Sequence, residues 1–246
     1  MSHRFASVKD RLAVALDVTG VDAARRLLDQ IGDEVGIVKI GYQLAYSGGF
    51  TLMEELSRAG KQVFADLKLF DIDQTVAHGV RSVAQVGVRF LTIHAYPKTM
   101  RAAMASLEGK DAPTLLAVTV LTSMDDKDLR EAGYQDRAAD LVAKRAVQAR
   151  QAGIPGLVCS AREVVALRGH VGSDMLLVTP GIRFAHDASG DQKRIMTPDK
   201  AIALGSDILV IGRPITASTD PRAAAQRALE AMEVGLERRT DGLQTA

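Results

Sequence analysis

Ala65-Asp66-Leu67-Lys68-Leu69-Phe70-Asp71-Ile72-Asp73-Gln74-Thr75 is the stretch on which the reading of this chain turns. Val63, Ala65 and Leu67 alternate with Phe64, Asp66 and Lys68, so the run reads as a strand with one apolar face and a second face ending in two charges. Asp66 and Lys68 leave the strand's C-terminal end on the same side, and Asp71 follows a few residues into the loop. An ammonium set among carboxylates at a strand end does little for stability, because burying it costs desolvation that pairing only partly offsets. Chemistry that needs a positioned proton donor beside concentrated negative charge gives such an arrangement a purpose. Taken alone, the D-x-K pair would read as an exposed ion pair at a strand-to-loop junction. The remainder of the chain argues against that.

On both sides of this stretch one unit recurs: a short apolar, β-branched run, a polar loop, then an amphipathic helix. The strand-like runs are Leu12–Asp17, Ile37–Gly41, Val63–Lys68, Phe90–Tyr96, Thr114–Leu121, Leu157–Ser160, Met175–Pro180 and Ile208–Gly212. Helical patterns include Val21–Ile31, Thr51–Ala59, Asp73–Val86, Arg137–Ala152, Ala161–Val171, Pro198–Leu204 and Pro221–Glu237. Thr197-Pro198 and Asp220-Pro221 place a capping residue before a proline at the first helical position. Eight such units without a Pro/Gly/Ser-rich linker predict one α/β domain, a (β/α)8 barrel, folded from about residue 11 to about residue 236 and followed by a polar, frayed tail from Arg238. A doubly wound open sheet is the alternative. Leu16-Asp17-Val18-Thr19-Gly20 after the first strand lacks the G-x-G-x-x-G turn common there.

Bulk properties agree with a soluble globular chain. Of 246 residues 47% are hydrophobic and 25% charged, with 31 basic and 30 acidic side chains intermixed. No aromatic-rich basic patch invites nucleic acid. No run approaches membrane-spanning length, and Met1–Asp10 lacks a signal-peptide core. The single Cys159 excludes an internal disulfide, fits a reducing cytoplasm, and reads as a small buried residue of its strand. His78, His170, Glu54 and Glu55 read as exposed or structural.

In a barrel of this kind chemistry sits at the C-terminal strand ends. Asp17, Lys39, Asp66 with Lys68, His94, Thr122 with Ser123, Arg183 and Gly212-Arg213 fall at or near the ends of successive strands, which suggests a ring around one ligand. Ile211-Gly212-Arg213-Pro214-Ile215 lets backbone approach an anion and supplies a guanidinium able to hold phosphate bidentately. Gly181-Ile182-Arg183 through Asp191-Gln192 adds an amide that could close over the same group, and Phe184–Arg194 reads as a mobile lid.

These segments, in this order, resemble the orotidine 5′-phosphate decarboxylase family from about Leu12 to Gly235. The resemblance rests on Ala15-Leu16-Asp17, Val38-Lys39-Ile40-Gly41, Asp66-Leu67-Lys68 with Asp71-Ile72 and Thr75, Val118 to Ser123, Thr179 to Arg183, Asp191-Gln192 and Ile211 to Ile215. It implies conversion of orotidine 5′-phosphate to UMP and CO2 with no metal or cofactor. Lys68 would be the proton donor in a charged network with Asp66, Asp71 and Lys39. Asp17 and Lys39 would hold ribose hydroxyls, Thr122 would contact the pyrimidine, and Arg183, Gln192, Gly212 and Arg213 would bind phosphate. The resemblance also implies a homodimer in which Asp71 and Thr75 reach the partner's site. Many family members read His-Asp-Ile-Pro-Asn-Thr where this chain has Phe70-Asp71-Ile72-Asp73-Gln74-Thr75, and here Asp73 is expected to cap the next helix.

Two other functions fit a similar barrel. Related hexulose-phosphate synthases and keto-gulonate-phosphate decarboxylases use a metal ion and would want a further acidic ligand on the second strand, where this chain has Lys39. A non-catalytic phosphoribosyl-binding protein would be expected to lack Lys68 or its neighbours, and all are present.

Overall fold

In the computed structural model, which describes residues 5–107, 109, 112–184 and 196–244, eight parallel strands pair in chain order and close into a barrel. They are β1 (Leu12–Ala15), β2 (Ile37–Gly41), β3 (Gln62–Leu69), β4 (Phe90–His94), β5 (Thr114–Val118), β6 (Gly156–Val158), β7 (Leu176–Thr179) and β8 (Ile208–Ile211). Helices Val21–Ile31, Phe50–Arg58, Asp73–Ala84, Pro97–Ala105, Ala138–Gln151, Val164–Val171 and Pro198–Ala203 lie between strands, and Pro221–Gln244 follows β8. No helix among the described residues is long and apolar enough to cross a membrane.

Alternation along each strand sorts side chains into two cores. Val63, Ala65 and Leu67 face outward into the layer beneath the helices, with Leu52, Val76 and Val80. Phe64 faces inward and joins Ala13, Ile37, Phe90, Leu116 and Ile208 in a plug that fills the barrel, its ring edge-on to Phe90 at 6.0 Å. A Cβ on Gly156 would stand 2.5 Å from Leu116 Cδ2, so a glycine in β6 is what lets this plug close. The same inward rows continue upward. Ala13 and Ala15 lead to Asp17, Ile37 to Lys39, Phe64 to Asp66 and Lys68, Phe90 to Thr92 and His94, and Val210 to Gly212. Period two thus packs the bottom of the barrel with carbon and crowns its top with polar groups.

Several strands stop one to three residues short of the runs read from sequence, because Asp17, Tyr96, Leu121, Ser160 and Pro180 extend beyond the last ladder pairing. The C-terminal end departs the other way: the helix runs to Gln244, past the expected fraying point. Arg238 pairs with Asp199 at 2.7 Å and Arg239 donates to the Ser206 carbonyl at 3.3 Å, anchoring that last stretch to the barrel. Asp220 caps this helix by accepting from the Ala223 amide at 2.9 Å. Asp73 does not cap its own. Ile72 holds that position, and Asp73 is the first helical residue, 3.3 Å from Lys98.

The barrel floor is tied by a buried ion pair. The Asp207 carboxylate accepts from the Leu177 amide at 2.9 Å and from Arg168, whose guanidinium also donates to the carbonyls of Gly205 and Met175. Arg239 approaches the second carboxylate oxygen at 3.7 Å. Removing one partner of such a pair strands the other's charge in a dry site. Asp207→Ala should therefore cost about 3–5 kcal/mol of unfolding free energy. Asp33→Ala, which removes an exposed contact to Lys61, should leave stability close to the parent's. Urea denaturation of the two variants beside the parent checks both outcomes, and equal losses would show that the floor pair carries no special weight.

Candidate active site

The inward rows end around a cavity of about 500 Å³ at the C-terminal mouth of the barrel. Asp17, Lys39, Asp66, Lys68, Thr122, Ser123, Arg183, Gly212 and Arg213 all line it. Gln192, and the lid expected over Phe184–Arg194 beyond its first residue, lie outside the described residues. Asp71 and Thr75 are exposed and do not line the cavity; the Asp71 carboxylate accepts from the Ile72 amide at 2.6 Å. His94 stands just behind the wall, edge-on to Phe70 at 5.9 Å. His78 and His170 are exposed. Cys159, buried, borders the cavity beside Val158.

Asp66 is the hub. Its Oδ1 accepts from Lys68 Nζ at 2.8 Å and from the Thr92 hydroxyl at 3.0 Å, and its Oδ2 lies 3.3 Å from Lys39 Nζ. Lys39 also donates to Asp17 Oδ1 at 3.2 Å, so two ammonium groups and two carboxylates alternate along one line. Burial alone would push the Asp66 carboxyl up. Lys39, then Lys68, and the hydrogen bonds from Lys68 and Thr92 outweigh that and hold it below the ordinary carboxylate range. The Lys39 side chain is only 8% exposed while its partner Asp17 is 58% exposed, so the line runs from a dry interior to the open mouth. A Cβ on Gly41 would sit 3.1 Å from Lys39 Nζ, and the missing side chain is what leaves the ammonium room.

The backbone beneath the Lys68 ammonium is unusual. Lys68 is the one non-glycine residue with positive φ, +44°, among the described residues. The β3–β4 pairing shifts register between Ala65 and Leu69 at the same place. Left-handed backbone at a residue with a side chain costs roughly 1–3 kcal/mol and persists only where its surroundings enforce it.

Two further walls complete the mouth. On the β7–β8 side Arg183, buried, donates to the Ile182 carbonyl at 2.8 Å, and Gly181, Gly212, Arg213 and Thr216 lie beside it. Two guanidinium groups and flexible backbone suit an anion. On the β5 side Val118, Val120 and Leu121 give an apolar surface beside Thr122 and Ser123. Arg145, reaching in from the helix Ala138–Gln151, donates to the Thr119 carbonyl and lies 4.8 Å over the Tyr96 ring. Phe70 stacks on the same Tyr96 ring at 4.4 Å. The cavity can thus hold a flat polar molecule with an anionic tail, leaving an ammonium aimed at one edge. Among the described residues no group of three His, Cys, Asp or Glu side chains is placed to share a metal ion.

Sequence reading missed Gln43 and Thr216 in the lining and Thr92 beneath it. Thr92 carried a signal, since Phe90, Thr92 and His94 alternate like Phe64, Asp66 and Lys68. Gln43 and Thr216 carried none, because both sit in short helical turns whose direction is set by tertiary packing.

Comparison with known proteins gives a uniform result. Residues 10–228 match the family described as Orotidine 5′-phosphate decarboxylase / HUMPS family. The chain is 59% identical over 218 residues to the orotidine 5′-phosphate decarboxylase of Rhodopseudomonas palustris (strain BisB5), covering 89% of this chain and 92% of that protein. It is 57% identical over 223 residues to the enzyme of the same name from Methylobacterium sp. (strain 4-46), covering 89% and 93%. The crystal structure of orotidine 5′-phosphate decarboxylase from Lactobacillus acidophilus superimposes with a TM-score of 0.80 at 35% identity, over 90% of this chain and 98% of that one.

The depressed Asp66 carboxyl sets a pH window for stability. Its folded value lies below the unfolded carboxylate value of about 3.9, so its contribution is complete above that pH and is lost as pH falls through the folded value. Asp66→Asn should therefore flatten the decline of unfolding free energy between about pH 5 and about pH 2. Urea melts across that range measure the slope, and a slope equal to the parent's would remove Asp66 from the acid limb.

Proposed function

This chain belongs to the orotidine 5′-phosphate decarboxylase / HUMPS family, and we propose that it converts orotidine 5′-phosphate to UMP and CO2 without metal or cofactor, Lys68 protonating C6. It is a decarboxylase: relatives of that name stand at 55–59% identity over nearly nine-tenths of the chain. The route is our reading. The observation that carries it is the Lys68 ammonium at the cavity mouth, 2.8 Å from a buried carboxylate that also holds Lys39.

Breaking the C6–carboxylate bond leaves its electron pair on C6, in an sp2 orbital that the ring π-system does not delocalise. Stabilisation toward the upper part of the about 8–23 kcal/mol typical of enzymes is then required. A fixed ammonium near C6 supplies it twice, first as a positive charge facing the forming carbanion and then as the proton donor. Asp66 holds that ammonium in place through a 2.8 Å hydrogen bond. Asp17 and Lys39 are suited to ribose hydroxyls, Thr122 to the pyrimidine edge, and Arg183, Gly212 and Arg213, with Gln192, to the phosphate. Contacts to phosphate and ribose, remote from C6, provide binding energy for ordering the charged line. The lysine at position 39 favours this metal-free route over a metal-dependent one, since it puts an ammonium between Asp17 and Asp66 where a cation would otherwise be expected.

Asp71 and Thr75 fit a role across a homodimer. Neither lines its own chain's cavity, and Asp71 in its loop and Thr75 in the first turn of the helix Asp73–Ala84 stand beside exposed apolar groups, Phe70 at 57% and Ile72 at 71%. Apolar side chains bared together in this way suit a subunit interface. In the proposed dimer Asp71 approaches the partner's Lys68, adding a carboxylate next to the substrate's departing one.

Loss of orotidine 5′-phosphate absorbance in the presence of EDTA tests the central reading. The parent should turn over at an unchanged rate with the chelator, while Lys68→Ala should lose at least about a hundredfold in kcat with its fold intact. Activity restored by Mg2+ after dialysis would instead favour the metal-dependent route. The dimer has its own test. Lys68→Ala and Asp71→Ala homodimers should each be nearly inactive, and mixing them with subunit exchange should restore roughly a quarter of all sites, because about half the dimers are mixed and each mixed dimer has one intact site. Mixed dimers seen by mass spectrometry without recovered activity would confine Asp71 to its own chain.

A further inference from the structure

Thr92 lies directly under the charged line, fully buried in β4, and its hydroxyl uses both of its hydrogen-bonding capacities there. It accepts from the Lys68 backbone amide at 2.9 Å and donates to Asp66 Oδ1 at 3.0 Å. The place is set by register. Ala65 pairs with Leu91 and Leu69 with Ile93, so three residues of β3, Asp66 to Lys68, stand against Thr92 alone. A bulge of this kind leaves ladder groups without their usual partner and bends the strand that carries it. Here the displaced amide is that of Lys68, the residue whose backbone takes the left-handed turn, and the side chain opposite the bulge receives it.

We infer that Thr92 is a positioning residue of the decarboxylation site, one hydroxyl that fixes both the backbone turn at Lys68 and the rotation of the Asp66 carboxylate. The inference rests on the proposed role of Lys68 as proton donor. Asp66 Oδ1 carries Lys68 Nζ and Thr92 together, while Oδ2 carries Lys39. With the hydroxyl in place, the carboxylate plane has one orientation that serves both ammonium groups. Without it, the plane is free to turn, and the Lys68 amide is left buried with no acceptor opposite. Both changes move the ammonium relative to C6, where displacements near 1 Å are costly. Thr92 does not line the cavity, so its influence runs through Lys68 and Asp66.

The test is kinetic and uses the full chain. Thr92→Val keeps the shape and removes the hydroxyl, Thr92→Ala removes it without inserting a methyl group, and Thr92→Ser retains it. Val and Ala should lower kcat about ten- to a hundredfold, the worth of a hydrogen bond to a charged group, with KM for orotidine 5′-phosphate little changed. Ser should recover most of the loss. The acid limb of the kcat profile should move to higher pH in Val and Ala, because Asp66 loses a donor that favours its charged form. The other charged or titratable groups around Asp66 are Lys39 and Tyr42 from the β2 side, Asp17 behind Lys39, Lys68 on its own strand and His94 above Thr92 on β4, and all are the same in the three variants. Should Val fail to fold, by circular dichroism, Ala gives the same reading. Parent-like kcat in Val or Ala, equal losses in Val and Ser, or a change in KM alone would each overturn the inference. A parent chain that does not consume orotidine 5′-phosphate would instead overturn the function on which it rests.

Discussion

One buried carboxylate holding two ammonium groups is the constraint on which the rest of this structure depends. Asp66 meets Lys68 through one oxygen and Lys39 through the other, and it does so where burial penalises its own charge. Such an arrangement survives only when each charge is met from a fixed direction. The barrel supplies those directions. Asp66 lies opposite Gly41 in the β2–β3 ladder, and Lys39 opposite Phe64, so the two side chains rise from adjacent inward rows. A slip of one residue in either strand would turn one of them into the apolar layer beneath the helices. Packing of Phe64, Phe90 and Leu116 in the plug is thus what keeps the charged line above it in register.

What the sequence made legible follows from how local each signal is. Eight strands could be found because alternation and β-branched composition act over four to eight neighbouring residues. Their ends were read too long at Asp17, Leu121 and Pro180, since a chain can stay extended after its last ladder bond, and only the neighbouring strand decides where pairing stops. The cavity residues were found largely because a barrel places chemistry at strand ends, which turns a position along the chain into a position in space. Thr92 escaped because its significance lies in a register shift between two strands, and Arg145 because it arrives from a helix to hold a carbonyl twenty-six residues earlier. Asp71 stood out by its place just after Lys68, but a role across a dimer came only with the resemblance, since among the described residues its carboxylate bonds only the next amide.

The loop after β3 is built into the wall beside it. Phe70 lies flat on Tyr96 and edge-on to His94, and Tyr96 in turn shares the Arg145 guanidinium with Tyr134. An apolar ring at position 70 therefore belongs to a connected stack that runs to the Thr119 carbonyl and hence to the wall bearing Thr122. The imidazole of His94 is held below its ordinary value by burial, and then by Lys68 and Arg145, so it sits in this stack as a neutral ring near neutral pH. Loop and wall are coupled through carbon and one guanidinium, with no exposed ion pair in the chain of contacts.

The left-handed turn at Lys68 gives position 68 two incompatible optima. Backbone at a φ of +44° is most at ease with glycine, which lacks the Cβ that crowds the following carbonyl. Yet glycine has no amine, and in the proposed reaction the amine is the proton donor. Selection for a more stable chain and selection for a working one therefore pull this residue in opposite directions. The tension has no full remedy at position 68, because any side chain bearing a proton donor also brings a Cβ. Any gain in stability has to be found elsewhere in the molecule, and the barrel floor, away from the mouth, is where it can be made without touching the chemistry.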